Sequence, residues 1–560
     1  MPDQEATSLS PAGWDESADV VIVGSGAGSV CAALVVRDAG LRPLIVEKDA
    51  QIGGSTALSG GVLWVPNNPV MKRAGVRDSY EDAKAYLDAC AGPYVSGSTP
   101  ERRHAFLVEG PKMVEYLERH GMQWVHAEGW SDYHEGEYPG GVARSRSLVA
   151  QIFDMRRLGS WRNLVRRSLR PPLRLYEASD LFLWGKTWRS KVAMARVAWR
   201  LMLRRLGFDL VGTGMAVQGR LFEIALRAKI PLWNEALVTG LITEGARVAG
   251  VLVRRHGRDV RVRAERGIII DAGGFARNAA MRQQYQPKPT SVDWTNSNPG
   301  DTGEVIQMAM ALGAAVAIMD LSWWNSVSLR PDGTRSINVM DIAKPYAIVV
   351  DAKGQRFVNE ATSYVAVGIA MYQRQQQAQA VPSWAIIESR HRRDYGWGGV
   401  KPGPPPQEWL DSGYMIKAQT IEDLADRCGI DALGLKATIE RFNKFARDGV
   451  DHDFGRGKSA YSRFLGDPTV KPNHSLGAIE QPPFYAVKIF PGDVGTAGGL
   501  VTDEFARVQR KDGSIIPGLY ATGNSTATVV GRSYPGAGAS IAAAAVFGYI
   551  AAKHAVGQQH

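Results

Sequence analysis

The chain has 560 residues, including 61 glycines and 15 tryptophans, and a formal net charge of +10 at neutral pH. Single hydrophobic cores stop growing near about 250–300 residues, so this length predicts two cores. Residues 156–205 carry fourteen basic and two acidic side chains, a net charge of +12, which leaves the rest of the chain slightly acidic. Because the basicity belongs to one segment, nucleic-acid binding by the protein body is not expected.

The sequence carries no targeting or metal-binding signal. The first 20 residues are polar and acidic, unlike a signal peptide. The apolar stretch IAAAAVFGYIAA is too short to span a bilayer. Cys31, Cys90 and Cys428 are scattered, which excludes a disulfide framework or a zinc knuckle and fits a reducing compartment. We therefore expect a cytoplasmic protein without a metal.

The first predicted element is a strand–turn–helix unit, ADVVIVGSGAGSVCAAL. Residues 20–23 form a short apolar run suited to a buried parallel strand. Gly24 then permits a tight turn, and Gly26 lets a pyrophosphate approach the backbone; Gly28 follows in the start of the helix, which offers free N–H groups to the phosphates. Ser29 stands where the usual G-x-G-x-x-G pattern has its third glycine. The unit predicts a dinucleotide site; the alternative is a glycine-rich turn without a ligand.

The next stretches favour FAD over NAD as the dinucleotide. In PLIVEK, Glu47 lies where a carboxylate is expected to accept the ribose hydroxyls. GGSTALSGG (53–61) follows as a flexible, polar segment, and GIIIDAGGF (267–275) and PGLYATGN (517–524) are further buried strands that end in glycines. A late helix begins beside the last of them. A dinucleotide fold that returns to its ligand from the far C-terminus is typical of flavoproteins.

These motifs supply the expected FAD contacts. They are Gly24, Ser25, Gly26, Ala27, Gly28, Glu47, Lys48, Gly54, Ser55, Thr56, Ser59, Gly60, Gly61, Ala272, Gly273, Gly274, Asp301, Gly523, Asn524, Gly538, Ser540 and Ile541. A histidine placed for a covalent link is not evident near GGSTALSGG, so we expect FAD to be held non-covalently.

The predicted fold class is α/β, with a Rossmann-like FAD-binding domain interrupted by an inserted domain. Residues 18–325 and 495–560 are expected to form the FAD-binding domain. Residues 326–494 mix short strands with helical stretches such as LGLKATIERFNKFARDG, which predicts an α+β catalytic domain that caps the substrate. Residues 152–205 form a further, basic insertion in the first part.

Five motifs together carry a family resemblance: GGSTALSGGVLWVPNN, SDYHEGEYPGG, RFVNEATSY, FYAVKIFPGDVGTAGGL and GRSYPGAGAS. As a set they resemble the 3-ketosteroid Δ1-dehydrogenases, which belong to the fumarate reductase/succinate dehydrogenase flavoprotein superfamily. The resemblance covers nearly the whole chain. It implies that a double bond is introduced between C1 and C2 of the steroid A-ring, with a hydride passing to flavin N5 and electrons then passing to a quinone-like acceptor.

Desaturation beside a ketone needs a hydride acceptor, a base and a group that polarises the ketone. Tyr534 precedes the last helix, so its hydroxyl and the backbone N–H of Gly538 can both donate to one oxygen. The resemblance implies that this pair binds the C3 carbonyl, that Tyr364 removes the C2 proton and that Tyr133 assists it. Each tyrosine has a structural alternative, and Tyr138 is a second candidate beside Tyr133.

Other chemistries have weaker support in the sequence. Three histidines are isolated and make no metal spacing: His126, His134 and His391. A 3-oxo-5α-steroid Δ4-dehydrogenase remains an alternative. A flavin reductase of unsaturated acids, which would need arginines to hold its substrate, is a more distant one; the insert offers Arg330, Arg335 and Arg356. A non-catalytic FAD-binding scaffold is an alternative of another class.

The basic insertion contains a predicted amphipathic helix over residues 186–205. Apolar residues such as Val192 and Trp199 recur at about helical spacing, with arginines between them. Basic residues beside tryptophans favour peripheral contact with an anionic membrane surface. A solvated helical hairpin packed on the FAD domain is the alternative.

Overall fold

The computed structural model describes residues 13–168 and 170–558. Residues 1–12, most of the polar N-terminal segment, lie outside the described residues. The expectation that this segment is not a signal peptide therefore stays a prediction.

The strands of the described part fall into two large sheets and three small ones. They are β1 (Glu16–Val23), β2 (Pro43–Val46), β3 (Val62–Trp64), β4 (Trp124–His126), β5 (Ser147–Ala150), β6 (Phe153–Asp154), β7 (Leu210–Val211), β8 (Leu232–Trp233), β9 (Ala236–Glu244), β10 (Arg247–Arg255), β11 (Arg258–Ile270), β12 (Val316–Ala317), β13 (Ser322–Leu329), β14 (Arg335–Ile337), β15 (Ala347–Val350), β16 (Ser383–Glu388), β17 (Met415–Ala418), β18 (Phe484–Thr496), β19 (Gly499–Leu500), β20 (Arg507–Gln509) and β21 (Ile515–Ala521).

The α-helices lie in the FAD-type domain, in the basic insertion and in the insert. They are α1 (Ala27–Asp38), α2 (Gly54–Leu58), α3 (Pro69–Arg73), α4 (Tyr80–Ala91), α5 (Pro100–Arg119), α6 (Leu175–Leu181), α7 (Trp188–Arg205), α8 (Thr213–Arg227), α9 (Ala279–Tyr285), α10 (Glu304–Ala311), α11 (Val339–Ile342), α12 (Tyr364–Gln375), α13 (Ser389–Asp394), α14 (Gln407–Asp411), α15 (Ile421–Cys428), α16 (Ala432–Asp448), α17 (Ala460–Leu465) and α18 (Ala539–Ala555). Short 3₁₀ helices lie at Met155–Asn163, Val292–Trp294 and Gly523–Ser525.

The larger sheet is built from both ends of the chain. Its strands run in the order β20-β21-β11-β1-β2-β8, and β10 and β9 extend β11 as an antiparallel hairpin. Strands β8, β2, β1, β11 and β21 are parallel neighbours. The central strands are apolar and buried on both faces, as parallel strands usually are. The mixture of a parallel sheet with covering helices confirms the predicted α/β class.

The second sheet belongs to the insert and is antiparallel, in the order β14-β13-β18-β16-β15 with β17 also paired to β18. Helices α15 and α16 pack on it around a separate core. Its first strand begins at Ser322 and its last ends at Thr496, so it extends slightly beyond the predicted boundaries of 326–494. Strands β13 and β18 therefore each cross a predicted boundary.

The basic insertion is a helical hairpin. Helices α6 and α7 pack together over a small core of Leu173, Ala178 and Val197, and the pairing of β6 with β7 closes the base. Lys186 connects the hairpin to the insert through an ion pair of 2.6 Å with Asp467. Among the described residues, no helix has the length and apolar character needed to cross a membrane.

Candidate active site

A cavity of about 1280 Å³ lies where the FAD-type domain, the insert and the basic hairpin meet. Its walls include the turn after β1, the segment around α2, and the starts of α12 and α18. The hairpin contributes apolar side chains, among them Met194, Val197 and Leu201 of α7. The cavity therefore joins a glycine-lined end, formed by the FAD-type domain, to a chamber that is apolar and aromatic.

The glycines at the first end keep the cavity wall free of side chains. Gly24 has a φ of 107°, and a Cβ there would lie 2.1 Å from the carbonyl oxygen of Asp271. A Cβ at Gly26, the N-cap of α1, would lie 3.1 Å from Asp271 Oδ2 and 3.6 Å from Thr56 Oγ1. The start of α1 thus carries no side chain on Gly26, which lets a pyrophosphate approach the backbone there, beside the side chains of Asp271 and Thr56.

Two enclosed carboxyl groups lie farther along the same wall. Glu47 is 8% exposed, and its Oε2 accepts a hydrogen bond of 2.5 Å from Ser25 Oγ. Asp301 accepts one of 3.0 Å from Ser55 Oγ. Burial raises the pKa of Glu47 and raises that of Asp301 to about 7. Both line the cavity, so their oxygens fit the hydroxyl groups of a dinucleotide.

Nearly all of the residues predicted to bind FAD line this cavity. The exceptions are Ala27, Gly28 and Gly274; Gly28 packs instead against the backbone of α18. Lys48 lines the cavity, but its Nζ is paired with Glu304 at 2.9 Å. The glycine cradle, the carboxyls and the size of the cavity together fit FAD.

The three tyrosines of the predicted catalytic set come together at the other end. The ring centroids are 5.8 Å apart for Tyr133 and Tyr364, 5.3 Å for Tyr364 and Tyr534, and 6.0 Å for Tyr133 and Tyr534. Tyr364 is the first residue of α12. The backbone N–H of Tyr133 donates to the carbonyl of Pro535, which fixes the two loops against each other.

Tyr534 places its hydroxyl at the start of α18. The oxygen lies 3.1 Å from Ser540 Oγ and 3.5 Å from the backbone nitrogen of Ser540. Gly538 is the N-cap of this helix with a φ of 88°, and a Cβ there would lie 2.0 Å from the carbonyl oxygen of Val62. A substrate oxygen here would meet a hydroxyl group and the positive end of a helix.

The surroundings of the tyrosines oppose their ionisation. Burial, assisted by the neighbouring Tyr534, raises the pKa of Tyr364 well above its usual value. The Tyr133 hydroxyl acts in the opposite direction, although it is outside ordinary hydrogen-bond geometry. Burial likewise raises the pKa of Tyr133. In the ligand-free protein both groups are therefore neutral phenols.

Tyr461 and Trp323 are among the aromatic residues of the chamber that were not predicted. The Tyr461 ring lies 4.2 Å from that of Tyr133, and among the described residues neither buried hydroxyl has a hydrogen-bond partner. The Trp323 ring lies 5.1 Å from that of Tyr534, and its Nε1 donates to Asn524 Oδ1 at 2.9 Å. Tyr461 is the second residue of the short helix α17, and none of the motifs that carry the family resemblance includes it.

Several alternatives in the sequence lie elsewhere. Tyr138 is 39% exposed and packs on His134 outside the cavity. His391 is buried, hydrogen-bonded to a backbone carbonyl, and burial lowers its pKa to about 3. Arg356 forms ion pairs with Glu360 and is not on the cavity wall, whereas Arg330 and Arg335 do line it. The described residues hold no cluster of side chains that could bind a metal.

Comparisons with known proteins show the family of this chain. A family described as "FAD binding domain" matches residues 19–541. The 3-oxosteroid 1-dehydrogenase of Mycobacterium tuberculosis (strain ATCC 25618 / H37Rv) is 40% identical, and the alignment covers 96% of this chain and 98% of that protein. FAD is therefore the cofactor of this chain.

Two solved structures share the fold over nearly the whole chain. The 3-ketosteroid delta1-dehydrogenase from Sterolibacterium denitrificans, in complex with 1,4-androstadiene-3,17-dione, is 36% identical with a TM-score of 0.92, over 97% of this chain and 100% of that one. The 3-ketosteroid-delta4-(5alpha)-dehydrogenase from Rhodococcus jostii RHA1 is 22% identical with a TM-score of 0.67, over 98% of each chain, and shares the fold alone. The chain belongs to the 3-ketosteroid Δ1-dehydrogenase family of FAD-dependent oxidoreductases.

Proposed function

We propose that this enzyme introduces a double bond between C1 and C2 of the A-ring of a 3-ketosteroid. The observation that carries the proposal is the meeting of Tyr133, Tyr364 and Tyr534 in one chamber that continues into the FAD cradle. Steroids are large and apolar, and so is most of the chamber wall. The named relatives act on the same class of substrate.

In this proposal the ketone oxygen is held at the start of α18. The Tyr534 hydroxyl and the backbone N–H of Gly538 donate to the C3 oxygen. Both are fixed before the substrate binds, since Tyr534 already contacts Ser540 and the turn around Gly538 packs on the backbone of Val62. Donors that need no rearrangement stabilise the negative charge that develops on the oxygen as C2 loses its proton.

Tyr364 accepts the C2 proton. Only the phenolate can accept that proton, so Tyr364 must first release its own phenolic proton to solvent. Burial raises the pKa of Tyr364, which makes the phenolate scarce and leaves it in need of a stabilising hydrogen bond. Tyr133 donates a hydrogen bond to that phenolate oxygen, and the surrounding rings exclude water. Bound FAD supplies the acceptor for the hydride that leaves C1. We further propose that FAD is held non-covalently by the glycine cradle, Glu47 and Asp301.

Helix α7 supports two finer proposals, docking on an anionic membrane surface and a quinone-like electron acceptor. One side of α7 lines the cavity through Met194, Val197 and Leu201, while Trp188 and Trp199 are 78% and 57% exposed. Steroids and quinones both partition into membranes. A helix that touches both the cavity and a bilayer would shorten the path of the steroid and of the quinone between the membrane and the cavity.

One experiment distinguishes the candidate reactions. The purified enzyme is mixed anaerobically with 4-androstene-3,17-dione, and in separate trials with a 5α-reduced 3-ketosteroid; chemically reduced enzyme is mixed with fumarate. We expect rapid bleaching of the flavin by 4-androstene-3,17-dione, with 1,4-androstadiene-3,17-dione as product. If the enzyme formed a C4–C5 double bond in the 5α-steroid and did not turn over 4-androstene-3,17-dione, the Δ4 reaction would be favoured. If fumarate reoxidised the reduced flavin and neither steroid bleached the oxidised flavin, an acid reductase would be favoured. Either result would overturn the proposal.

A further inference from the structure

Asp271 places a carboxylate at the start of helix α1. It follows the last residue of β11, and its Oδ2 accepts hydrogen bonds of 2.7 Å from the backbone N–H of Ser29 and of 2.8 Å from Ser29 Oγ. Ser29 is the third residue of α1 and stands where the usual dinucleotide pattern has glycine. One of the free N–H groups of the first turn is therefore already occupied by an acid of the protein itself.

The same carboxylate lies inside the glycine cradle. A Cβ would lie 3.1 Å from Oδ2 at Gly26, 2.9 Å from Oδ2 at Gly28 and 2.6 Å from Oδ1 at Gly523. Asp271 also lines the cavity. The glycines thus make room for this acid as well as for the phosphates. A helix N-terminus that normally attracts one anion must here accommodate two.

The groups around Asp271 do little to compensate its charge. Among the described residues, no lysine, arginine or histidine forms an ion pair with it. The titratable groups that face it are Glu47 at the end of β2, which is also acidic, and Cys31 of α1. Strand β21 and helix α18 bring backbone, glycine and alanine atoms to this corner. Burial raises the pKa of Asp271 to about 6, against the opposing effect of the two Ser29 hydrogen bonds.

We infer that Asp271 takes up a proton when FAD binds, so that the affinity for FAD falls as the pH rises. The pyrophosphate of FAD brings negative charge to the start of α1. Two anions in one enclosed site repel each other, and protonation of the carboxyl removes that repulsion. The inference rests on FAD as cofactor and is independent of the proposed steroid chemistry.

The direction follows from linkage. FAD raises the pKa of Asp271 above its ligand-free value of about 6, because it adds negative charge nearby. Below about pH 6 the group is protonated with or without FAD, and the affinity is constant. Between the two pKa values each FAD takes up one proton, and the dissociation constant rises by up to about tenfold per pH unit. Above the FAD-bound pKa the affinity is constant again.

The test measures FAD binding to the apoprotein between pH 5.5 and 8.5. Titration calorimetry in buffers of different ionisation enthalpy counts the protons taken up, and quenching of flavin fluorescence gives the dissociation constant. We expect uptake of up to one proton and a dissociation constant that rises with pH. Asp271→Asn should abolish the uptake and bind FAD more tightly than the wild type at pH 8. An FAD affinity that is constant over this range would overturn the inference.

Asp341→Asn is the matched control. Asp341 is a buried aspartate whose pKa is likewise raised by burial to about 6, but it does not line the cavity. The inference requires that Asp341→Asn keep the proton uptake; loss in this variant with retention in Asp271→Asn would overturn it.

Ser29→Ala provides a second readout that leaves Asp271 in place. This change removes the Oγ donor and keeps the N–H, so the ionised carboxylate loses one of its two hydrogen bonds. The pH at which affinity begins to fall should move upward. An unchanged onset, with apoprotein that melts like the wild type, would contradict the assignment to Asp271.

Discussion

Tyr364 illustrates how a single side chain can be suited to its role only when the substrate is present. Burial among neutral rings raises its pKa, and the nearest help comes from Tyr133. A group of this kind does not ionise in the empty chamber. In the proposed reaction it must give up its own proton before it can take the C2 proton, and C2 is acidic only while donors hold the ketone, so the base and the donors depend on each other.

Replacement of Tyr364 by phenylalanine tests the base. The change removes one hydroxyl with little change in volume. We expect turnover to fall by about 10²–10⁴, the usual contribution of a general base, with steroid binding largely kept. The measurement is anaerobic flavin reduction in stopped flow, with steroid affinity from spectral titration. Tyr138→Phe, outside the cavity, is the matched control and should be near normal. Near-normal turnover in Tyr364→Phe would assign the base to another residue.

Tyr534→Phe tests polarisation of the ketone separately from hydride transfer. Loss of one preorganised donor to a developing oxyanion should slow turnover by about a hundredfold or more. Exchange of the C2 protons with solvent deuterium should slow as well, because it needs the same charge on the C3 oxygen. Mass spectrometry of recovered steroid measures the exchange. If C2 exchange continued at the wild-type rate, Tyr534 would have a packing role.

Helix α7 carries arginines that hold the hairpin together and other cations that are exposed. Arg200 is paired with Glu177 at 2.6 Å, and Arg204 donates to the carbonyl of Leu210, so these arginines hold the hairpin together. Other cations of α7 are exposed and, within the described part of the chain, form no ion pair: Lys191, Arg196 and Arg205. The exposed set is what a membrane surface would meet.

A triple change of Lys191, Arg196 and Arg205 to glutamine tests docking of α7. Each basic residue near an anionic surface contributes about 1 kcal/mol, so co-sedimentation with liposomes rich in anionic lipid should be strongly reduced. The FAD content should stay normal. Lys417, Lys444 and Lys511, changed together to glutamine, form the control with the same loss of charge away from α7. Equal binding of the wild type to neutral and anionic liposomes, or to neither, would reject docking.

Packing between the two ends of the chain holds the FAD-binding domain together. Helices α1 and α18 make close contact, and a Cβ at Gly548 would lie 2.5 Å from the carbonyl oxygen of Gly28. Backbone lies against backbone at this crossing, so neither partner can move aside cheaply. Alanine is better than glycine by about 1 kcal/mol inside a helix, but here the clash should outweigh that gain.

Gly548→Ala should therefore lower the melting temperature and the flavin-to-protein ratio together, since overpacking of a tight contact costs about 1–3 kcal/mol. Differential scanning calorimetry and the absorbance ratio measure the two effects. Gly240→Ala is the matched control, because its Cβ would meet only Leu252 Cβ at 3.7 Å. A stabilised Gly548→Ala variant would show that the helices can separate slightly without harm.

The dinucleotide end of the site could be predicted because its signals are local. A strand, a glycine turn and a helix N-terminus are adjacent in sequence, and Glu47 follows at a fixed spacing. Tyr461 and Asp271 could not be predicted in the same way. Tyr461 reaches Tyr133 only through the folding of the insert, and the role of Asp271 depends on the pairing of β11 with β1. The predicted limits of the insert, residues 326 and 494, fall inside β13 and β18.

The return of the chain to its own beginning has a consequence for biosynthesis. Strand β21 and helix α18 complete a sheet and a cofactor wall that β1 and α1 began. A ribosome adds residues at about 5–20 per second, so the glycine cradle is made long before the segment that closes it. During that interval the nascent chain lacks the edge of its central sheet and the wall against the flavin. FAD can be enclosed only after α18 has left the ribosomal tunnel, so the glycine cradle alone cannot complete cofactor loading.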